Sequence, residues 1–565
     1  MTAAVARPQR TRHAGRRQLG LAMAHQRLML LLLILMLGIA AICARLIWIG
    51  VASTTSSRAA ASNGIIARGD IVDRNGQVLA RTIEAWSVGV HPSRLLGDVD
   101  NLAVQLARLM PERTEEQYRA LLKSGRSFTY LRRRAMPELV AQVNALGEPA
   151  MAFAREPERL YPQVTVAAHA IGFTDFDGHG VMGMERVLES RLSDPQKRGA
   201  PIALSIDMRV QAAMESELAS AMTDLQAEGA TGLVMDVQTG ELIAMVSLPV
   251  FNPNKSGEAQ PEALRNNVTQ SVYELGSAFK PLTMANAIES GIVQNLGRRY
   301  DATAPISVGP FTIKDDHPQH RWLNVPEALV HSSNIVTARV ADELGRERSE
   351  AFYRKMGFGK PVELELKERG RTIWPTNWGR AANMTIAYGH GMAVTPLHLA
   401  NAYAMIVNGG ILRPATLLQV PAGQAVKGER IISEKTSLLM RKMLRLIVTE
   451  GTGKNAGADG LRVGGKTGTA EKPGVGGYSK TVNVSTFAAA FPMDAPRYVV
   501  IAMLDAPKGS ARSFGQTTAA WTAAPVVAKV IARAGPMLGV YPDNSRDIDV
   551  SDIVPLLWKA PGERG

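Results

Sequence analysis

Cysteine is nearly missing from this chain: Cys43 is the one example among 565 residues. That excludes an internal disulfide and any cysteine-rich zinc site, and it leaves the redox compartment unmarked. Internal repeats are missing too, and low-complexity sequence is confined to the tail, which excludes a repeat architecture. Acidic residues do not occur in the first 27 positions, where Arg7, Arg10, Arg12, Arg16, Arg17 and Arg27 supply six of the thirteen net positive charges. A basic tail can bind nucleic acid. This one runs straight into an apolar segment, so membrane topology explains it better and no nucleic-acid partner is expected.

What is present is ordinary for a folded protein. Apolar residues make up 46% and charged residues 20%, which argues against general disorder. The length exceeds what one typical core organises, so two or more domains are expected.

Residues 28–44 read LMLLLLILMLGIAAICA, and LIWIGVA continues the run beyond Arg45 to Ala52. A bilayer needs roughly 20 apolar residues in a helix, and Arg45 can snorkel to the interface near Trp48. A cleaved signal peptide fits less well, because the apolar stretch is too long and no A-x-A site closes it. Ile42 also spoils a lipoprotein site before Cys43. The expectation is an uncleaved anchor over 28–52, a cytoplasmic basic tail over 1–27, and everything downstream outside the cytoplasm.

After a small, polar linker at 53–64, RGDIVDRNGQVLAR places Asn75-Gly76 between two short apolar runs, a hairpin signal. Residues 83–200 read as short helices and loops without a catalytic cluster. FTDFDGHG at 173–180 lacks the ligand spacing of a calcium loop and reads as a polar surface turn. From residue 201 a strand and amphipathic helix are followed by ATGLVMDVQTGELIAMVSLP, two strands and a tight turn. STFAAAFP (485–492) and RYVVIAMLD (497–505) read as buried strands before an apolar helix around 517–534. Strands at both ends with helices between predict one large α/β domain whose sheet draws on both ends of the segment. The expected divisions are a non-catalytic module over 53–200, a catalytic domain over 201–540, and a tail over 541–565.

Three short motifs carry chemistry. YELGSAFK puts Ser277 and Lys280 three apart at a helix start, on one face. A serine hydroxyl is a poor nucleophile until a base takes its proton, and a desolvated lysine can be that base. HSSN gives Ser332 and Asn334 at the head of another helix, where capping is the ordinary use of such residues. GGKTGTA offers Lys466, Thr467, Gly468 and Thr469 on a strand, with a cation and two hydroxyls suited to a carboxylate. Each is weak alone. Their order, with 55 residues from Ser277 to Ser332 and 134 from Ser332 to Lys466, is specific.

The order S-x-x-K, S-x-N, K-T-G resembles the class B penicillin-binding proteins, serine transpeptidases of peptidoglycan. RGDIVDRNGQVLA, AHAIGFTDFDGHGVMGMERVLESRL and YGHGMAVTPLHLANAYAMIVNGG extend the likeness over nearly the whole chain. The single anchor and the wording around Ser277 look most like the division-specific member. The resemblance implies an α/β (α+β) transpeptidase domain with a mainly antiparallel sheet flanked by helices, a smaller elongated N-terminal module, and one transmembrane helix. It also implies that Ser277 attacks the D-Ala-D-Ala carbonyl of a stem peptide, with Lys280 as base and Ser332 relaying the proton. Asn334 would orient the substrate amide, and Lys466, Thr467 and Thr469 would receive the carboxylate. The N–H groups of Ser277 and Thr469 would form the oxyanion hole. No cofactor or metal is implied. The partners would be peptidoglycan stem peptides, a multi-pass glycosyltransferase and other division proteins, at the septum of a bacterial inner membrane with the catalytic domain periplasmic. Leu275 departs from the proline that many relatives carry there, and a small loop difference is expected.

Competing readings are poorer. GLRVGGKT matches a phosphate-binding loop, but no buried strand precedes Gly460 and no helix can follow Thr467. A β-lactamase needs a group to activate deacylating water, and no such carboxylate is identifiable. An elongation-specific transpeptidase and a non-catalytic homologue remain as alternatives. His317 and His320 form an H-x-x-H in a proline-containing loop, more often a surface feature than a zinc site.

Overall fold

The computed structural model of the chain describes residues 26–45, 67–309, 311–474 and 477–558. The basic tail at 1–25, the apolar continuation at 46–52, the linker at 53–64 and the tail at 559–565 lie outside the described residues. Helix α1, Gln26–Arg45, is 20 residues long and apolar, and all of it is exposed. At 1.5 Å per residue it is about 30 Å long, enough for one bilayer span.

Beyond α1 the chain divides into two compact units. The described part of the first is 84–157; the second comprises 66–83 and 158 onward. Strands β1 (Ile71–Val72) and β2 (Val78–Val90) form the predicted hairpin, closed by Gly76 at φ +85°. A positive φ there suits glycine.

Within the first unit, helices α2 (Val99–Leu109), α3 (Glu115–Leu122) and α4 (Pro137–Asn144) accompany strands β3 (Thr129–Ala135) and β4 (Met151–Leu160). Asp98 caps α2, and Thr114 with Gln117 forms a capping box on α3. The apolar faces meet at Val88, Leu102, Leu106, Tyr118 and Leu131. The helices match the expectation for this region; the strands were not anticipated. β3 reads TYLRRRA and β2 carries Arg81 and Glu84, so charged residues break the alternation that marks a strand.

The second unit is built on a five-stranded antiparallel sheet. Strands β6 (Gly229–Asp236) and β7 (Leu242–Leu248) come from its beginning. Strands β8 (Gly464–Gly474), β9 (Gly477–Phe491) and β10 (Tyr498–Asp505) come from its end. The order is β8-β9-β10-β6-β7, with β8 at an edge. Strand β5, Ile202–Ala203, pairs parallel with β1.

Both faces of the sheet are buried, which explains the continuous apolar run in β10. Val500, Ala502 and Leu504 pack on one side with Val210, Met214, Val527 and Ile531. Those partners belong to helix α5, Met208–Asp224, and to the last long helix, Ala523–Met537. Val499, Ile501 and Met503 pack on the other side among Leu282, Val336, Leu399 and Met443, from the central helices. FTDFDGHG forms a turn in which Asp175 Oδ1 accepts from the Asp177 and His179 amides. His317 and His320 lie exposed in a loop.

Candidate active site

Gly276–Phe279 forms a short 3-10 turn that leads directly into helix α6, Lys280–Glu289, with Pro281 in its first turn. Three residues per 3-10 turn bring positions i and i+3 nearly into register. Ser277 and Lys280 therefore share one face, as their spacing predicted. Ser277 is partly exposed, while Lys280 is fully buried.

The second segment splits into two roles that the sequence could not separate. Ser333, not Ser332 or Asn334, caps helix α7, Asn334–Lys355, by accepting from the Val336 amide at 3.1 Å. Its hydroxyl donates to Asp315 Oδ2 at 2.8 Å, and the other Asp315 oxygen accepts from the Ile335 amide at 2.9 Å. Ser332 is left outside the cap at φ +59°, a left-handed conformation that costs a non-glycine residue energy and recurs at functional sites. That backbone frees its side chain for the lysines.

Lys280 Nζ donates to the Ser332 carbonyl and lies 3.0 Å from Ser332 Oγ. Lys466 Nζ approaches the same Oγ at 2.9 Å and also reaches the Thr467 carbonyl at 3.1 Å and hydroxyl at 3.0 Å. One hydroxyl thus joins two ammonium groups from segments 186 positions apart in sequence.

Glycines make the approach of β8 possible. A Cβ on Gly468 would sit 2.4 Å from the Leu275 carbonyl oxygen, and one on Gly276 would sit 2.4 Å from the Thr469 carbonyl oxygen. The nucleophile turn and the K-T-G strand therefore meet backbone to backbone. The segment after Lys466 is a strand, which excludes the phosphate-loop geometry.

Electrostatics follow from burial. Burial pushes Lys280 down to about 7, opposed by the carboxylates of Asp315 and Asp316. Burial, and then the charge of Lys280, holds Lys466 well below the ordinary lysine range. Two ammonium groups in a dry site disfavour each other's charge, so one of them is readily neutral and available as a base.

The remaining predicted residues have further partners of their own. Asn334 Nδ2 donates to the Lys314 carbonyl at 2.9 Å. Thr467 Oγ1 is 3.2 Å from Thr452 Oγ1, and Thr469 Oγ1 accepts from the Ala519 amide at 3.1 Å. Asp315 and Thr452 were not found by motif reasoning. Neither stands at a diagnostic spacing, and only the fold brings them to this place. Leu275 is buried, and its carbonyl accepts from the Ala278 amide at 3.3 Å.

Comparisons with known proteins identify the family. A family described as the penicillin binding protein transpeptidase domain matches residues 230–531, and one described as the penicillin-binding protein dimerisation domain matches residues 66–196. A probable peptidoglycan D,D-transpeptidase FtsI of Caulobacter vibrioides is 40% identical, over 84% of this chain and 82% of its own. The peptidoglycan D,D-transpeptidase FtsI of Escherichia coli is 28% identical, with 86% of each chain covered. The crystal structure of penicillin binding protein 3 from Mycobacterium tuberculosis, complexed with aztreonam, superposes with a TM-score of 0.66 at 25% identity, covering 85% of this chain and 98% of that one.

Proposed function

This chain belongs to the penicillin-binding protein transpeptidases, and from that premise we propose how it works as a membrane-anchored peptidoglycan D,D-transpeptidase of the septal type. The observation that carries the reading is the convergence of Lys280 and Lys466 on Ser332 Oγ, one 3-10 turn from Ser277.

Neutral Lys280 takes the proton of Ser277, and Ser277 Oγ attacks the penultimate D-Ala carbonyl carbon of a donor stem peptide. The amides of Ser277 and Thr469 receive the developing oxyanion. Ser332 passes the proton to the departing D-alanine nitrogen, with Lys466 holding its hydroxyl in place. Asn334 orients the substrate amide from the mouth of the site. Lys466, Thr467 and Thr469, with Gly468 keeping the strand close, receive the terminal carboxylate. The acyl-enzyme then passes to an amine of a neighbouring stem. A β-lactam follows the first half of this path and leaves slowly.

The chain is divided in this reading into the anchor at 28–52, a non-catalytic module at 53–200, the transpeptidase domain at 201–540 and a tail at 541–565. The basic tail favours a cytoplasmic N-terminus and a periplasmic catalytic domain. A multi-pass glycosyltransferase and other division proteins are the expected partners, contacted through the anchor and the N-terminal module. A tagged protein that concentrates along the side wall instead of at mid-cell would favour the elongation role.

The test is covalent labelling with a fluorescent penicillin. Labelling of the wild type and none of a folded Ser277→Ala variant is expected; persistent labelling of that variant would overturn the nucleophile assignment.

A further inference from the structure

Beside the nucleophile lies a second group of titratable side chains that the acylation path does not use. Glu274 precedes Ser277 by three residues. Its Oε1 accepts from the Gly391 amide at 2.8 Å and from the Tyr478 hydroxyl at 2.9 Å. Its Oε2 is buried, and among the described residues it has no hydrogen-bond partner. The same is true of His390 Nδ1.

These two groups belong to one place. The Gly276 amide donates to the Gly389 carbonyl at 3.1 Å, and a Cβ on Gly389 would fall 2.0 Å from the Gly276 carbonyl oxygen. The 388–391 loop is thus fastened to the residue next to Ser277. The His390 ring packs edge-on against Tyr478, with centroids 6.0 Å apart. Tyr478 is about half exposed, at 48%. One side chain therefore touches both residues: its ring packs on the His390 ring, and its hydroxyl donates to Glu274 Oε1, the carboxylate oxygen beside the unpartnered one.

Buried acceptors without donors are uncommon and costly. What would satisfy both is a compact cation with several N–H donors, and a primary ammonium has three. Burial holds His390 below its ordinary value, with the Glu274 carboxylate opposing. A neutral ring protonated at Nε2 presents a lone pair at Nδ1.

We propose that Glu274 and His390 form the site for the acceptor amine, entered when the Tyr478 side chain is displaced. This rests on the transpeptidase reading given above. Glu274 Oε2 binds the ammonium of the second stem peptide, and His390 Nδ1 removes one of its protons, which passes to solvent. The free amine attacks the acyl carbon on Ser277. The C–N bond forms, the C–O bond to Ser277 breaks, and the amine's second proton returns to Ser277 Oγ through Lys280. Water lacks the charge that this site selects, so the site directs the acyl group to cross-linking and away from hydrolysis.

The experiment uses the full chain in detergent with an acyl-D-alanyl thioester as donor and D-alanine as the amine, separating hydrolysis from aminolysis products. Glu274→Gln keeps a carbonyl oxygen for Gly391 and Tyr478, and His390→Phe keeps the ring packing. Each is expected to leave penicillin labelling and thioester hydrolysis near the wild-type rate. Aminolysis at fixed amine should fall about 10- to 100-fold, the worth of one charge-assisted hydrogen bond. Unchanged aminolysis with intact acylation would overturn the acceptor site alone, as would a loss of penicillin labelling in step with aminolysis. A wild-type chain that forms no acyl-enzyme would overturn the transpeptidase reading and this site with it.

Discussion

Two buried basic clusters in the same unit have opposite electrostatic arrangements. Arg68 and Arg159 flank Glu185, which is fully buried, with Nε–carboxylate distances of 2.8 and 2.7 Å, and Arg68 also pairs with Glu189. Lys280 and Lys466 are equally buried, yet both donate to the hydroxyl of Ser332 and to carbonyl groups instead of a carboxylate. Arginine keeps its charge and matches carboxylates with a rigid fork; lysine gives up its proton when desolvated. The first cluster is a closed ion network that fastens chain segments. The second is left without a bonded counter-charge, and that deficit makes a base. Burial alone does not distinguish structure from chemistry; the partner does.

The comparison can be broken at its most sensitive point by Lys280→Arg. The substitution keeps the positive charge and removes the ability to act as a base, so penicillin acylation should fall by roughly 10²–10⁴-fold. Stopped-flow acylation rates near those of the wild type would mean that charge, not proton transfer, is what Lys280 provides. Glu185→Gln probes the other cluster. It leaves two buried guanidinium groups short of one charge and should cost roughly 3–5 kcal/mol of stability. Denaturant unfolding would read this, while the acylation rate of the folded fraction should hold. A rate loss in proportion to the stability loss would erase the distinction between the clusters.

The smallest effect concerns pH. Lys280 at about 7 must be neutral to accept the serine proton, so acylation should rise with pH through that value and then level off. Asp316 favours the charged form of Lys280. Asp316→Asn removes that support and should move the rising limb to lower pH by a fraction of a unit. A shift to higher pH would contradict the assigned sign.

Much of this was legible in the sequence because it depends on short-range order. The apolar run ending at Arg45, the Asn75-Gly76 hairpin and the β6–β7 pair follow from local composition and periodicity. Continuous apolar strands such as β10 were readable because both faces are buried. The strands of the first unit were not, since TYLRRRA and the charged half of β2 hide a period of two. The three motifs named Ser277, Ser332 and Lys466, yet S-x-N by itself could not say which serine caps the helix. That was decided by Asp315, which holds Ser333 and the Ile335 amide and turns Ser332 outward at positive φ.

The sequence by itself determined the chemistry available: a hydroxyl one turn from an amine, a second amine on a glycine-lined strand, and an apolar helix at the start. Only the tertiary structure decided the state of those groups. Two lysines 186 positions apart enter one dry site because Gly276 and Gly468 let two backbones touch. A pKa is a property of surroundings, and the surroundings of Lys280 are supplied by segments that no local pattern connects to it.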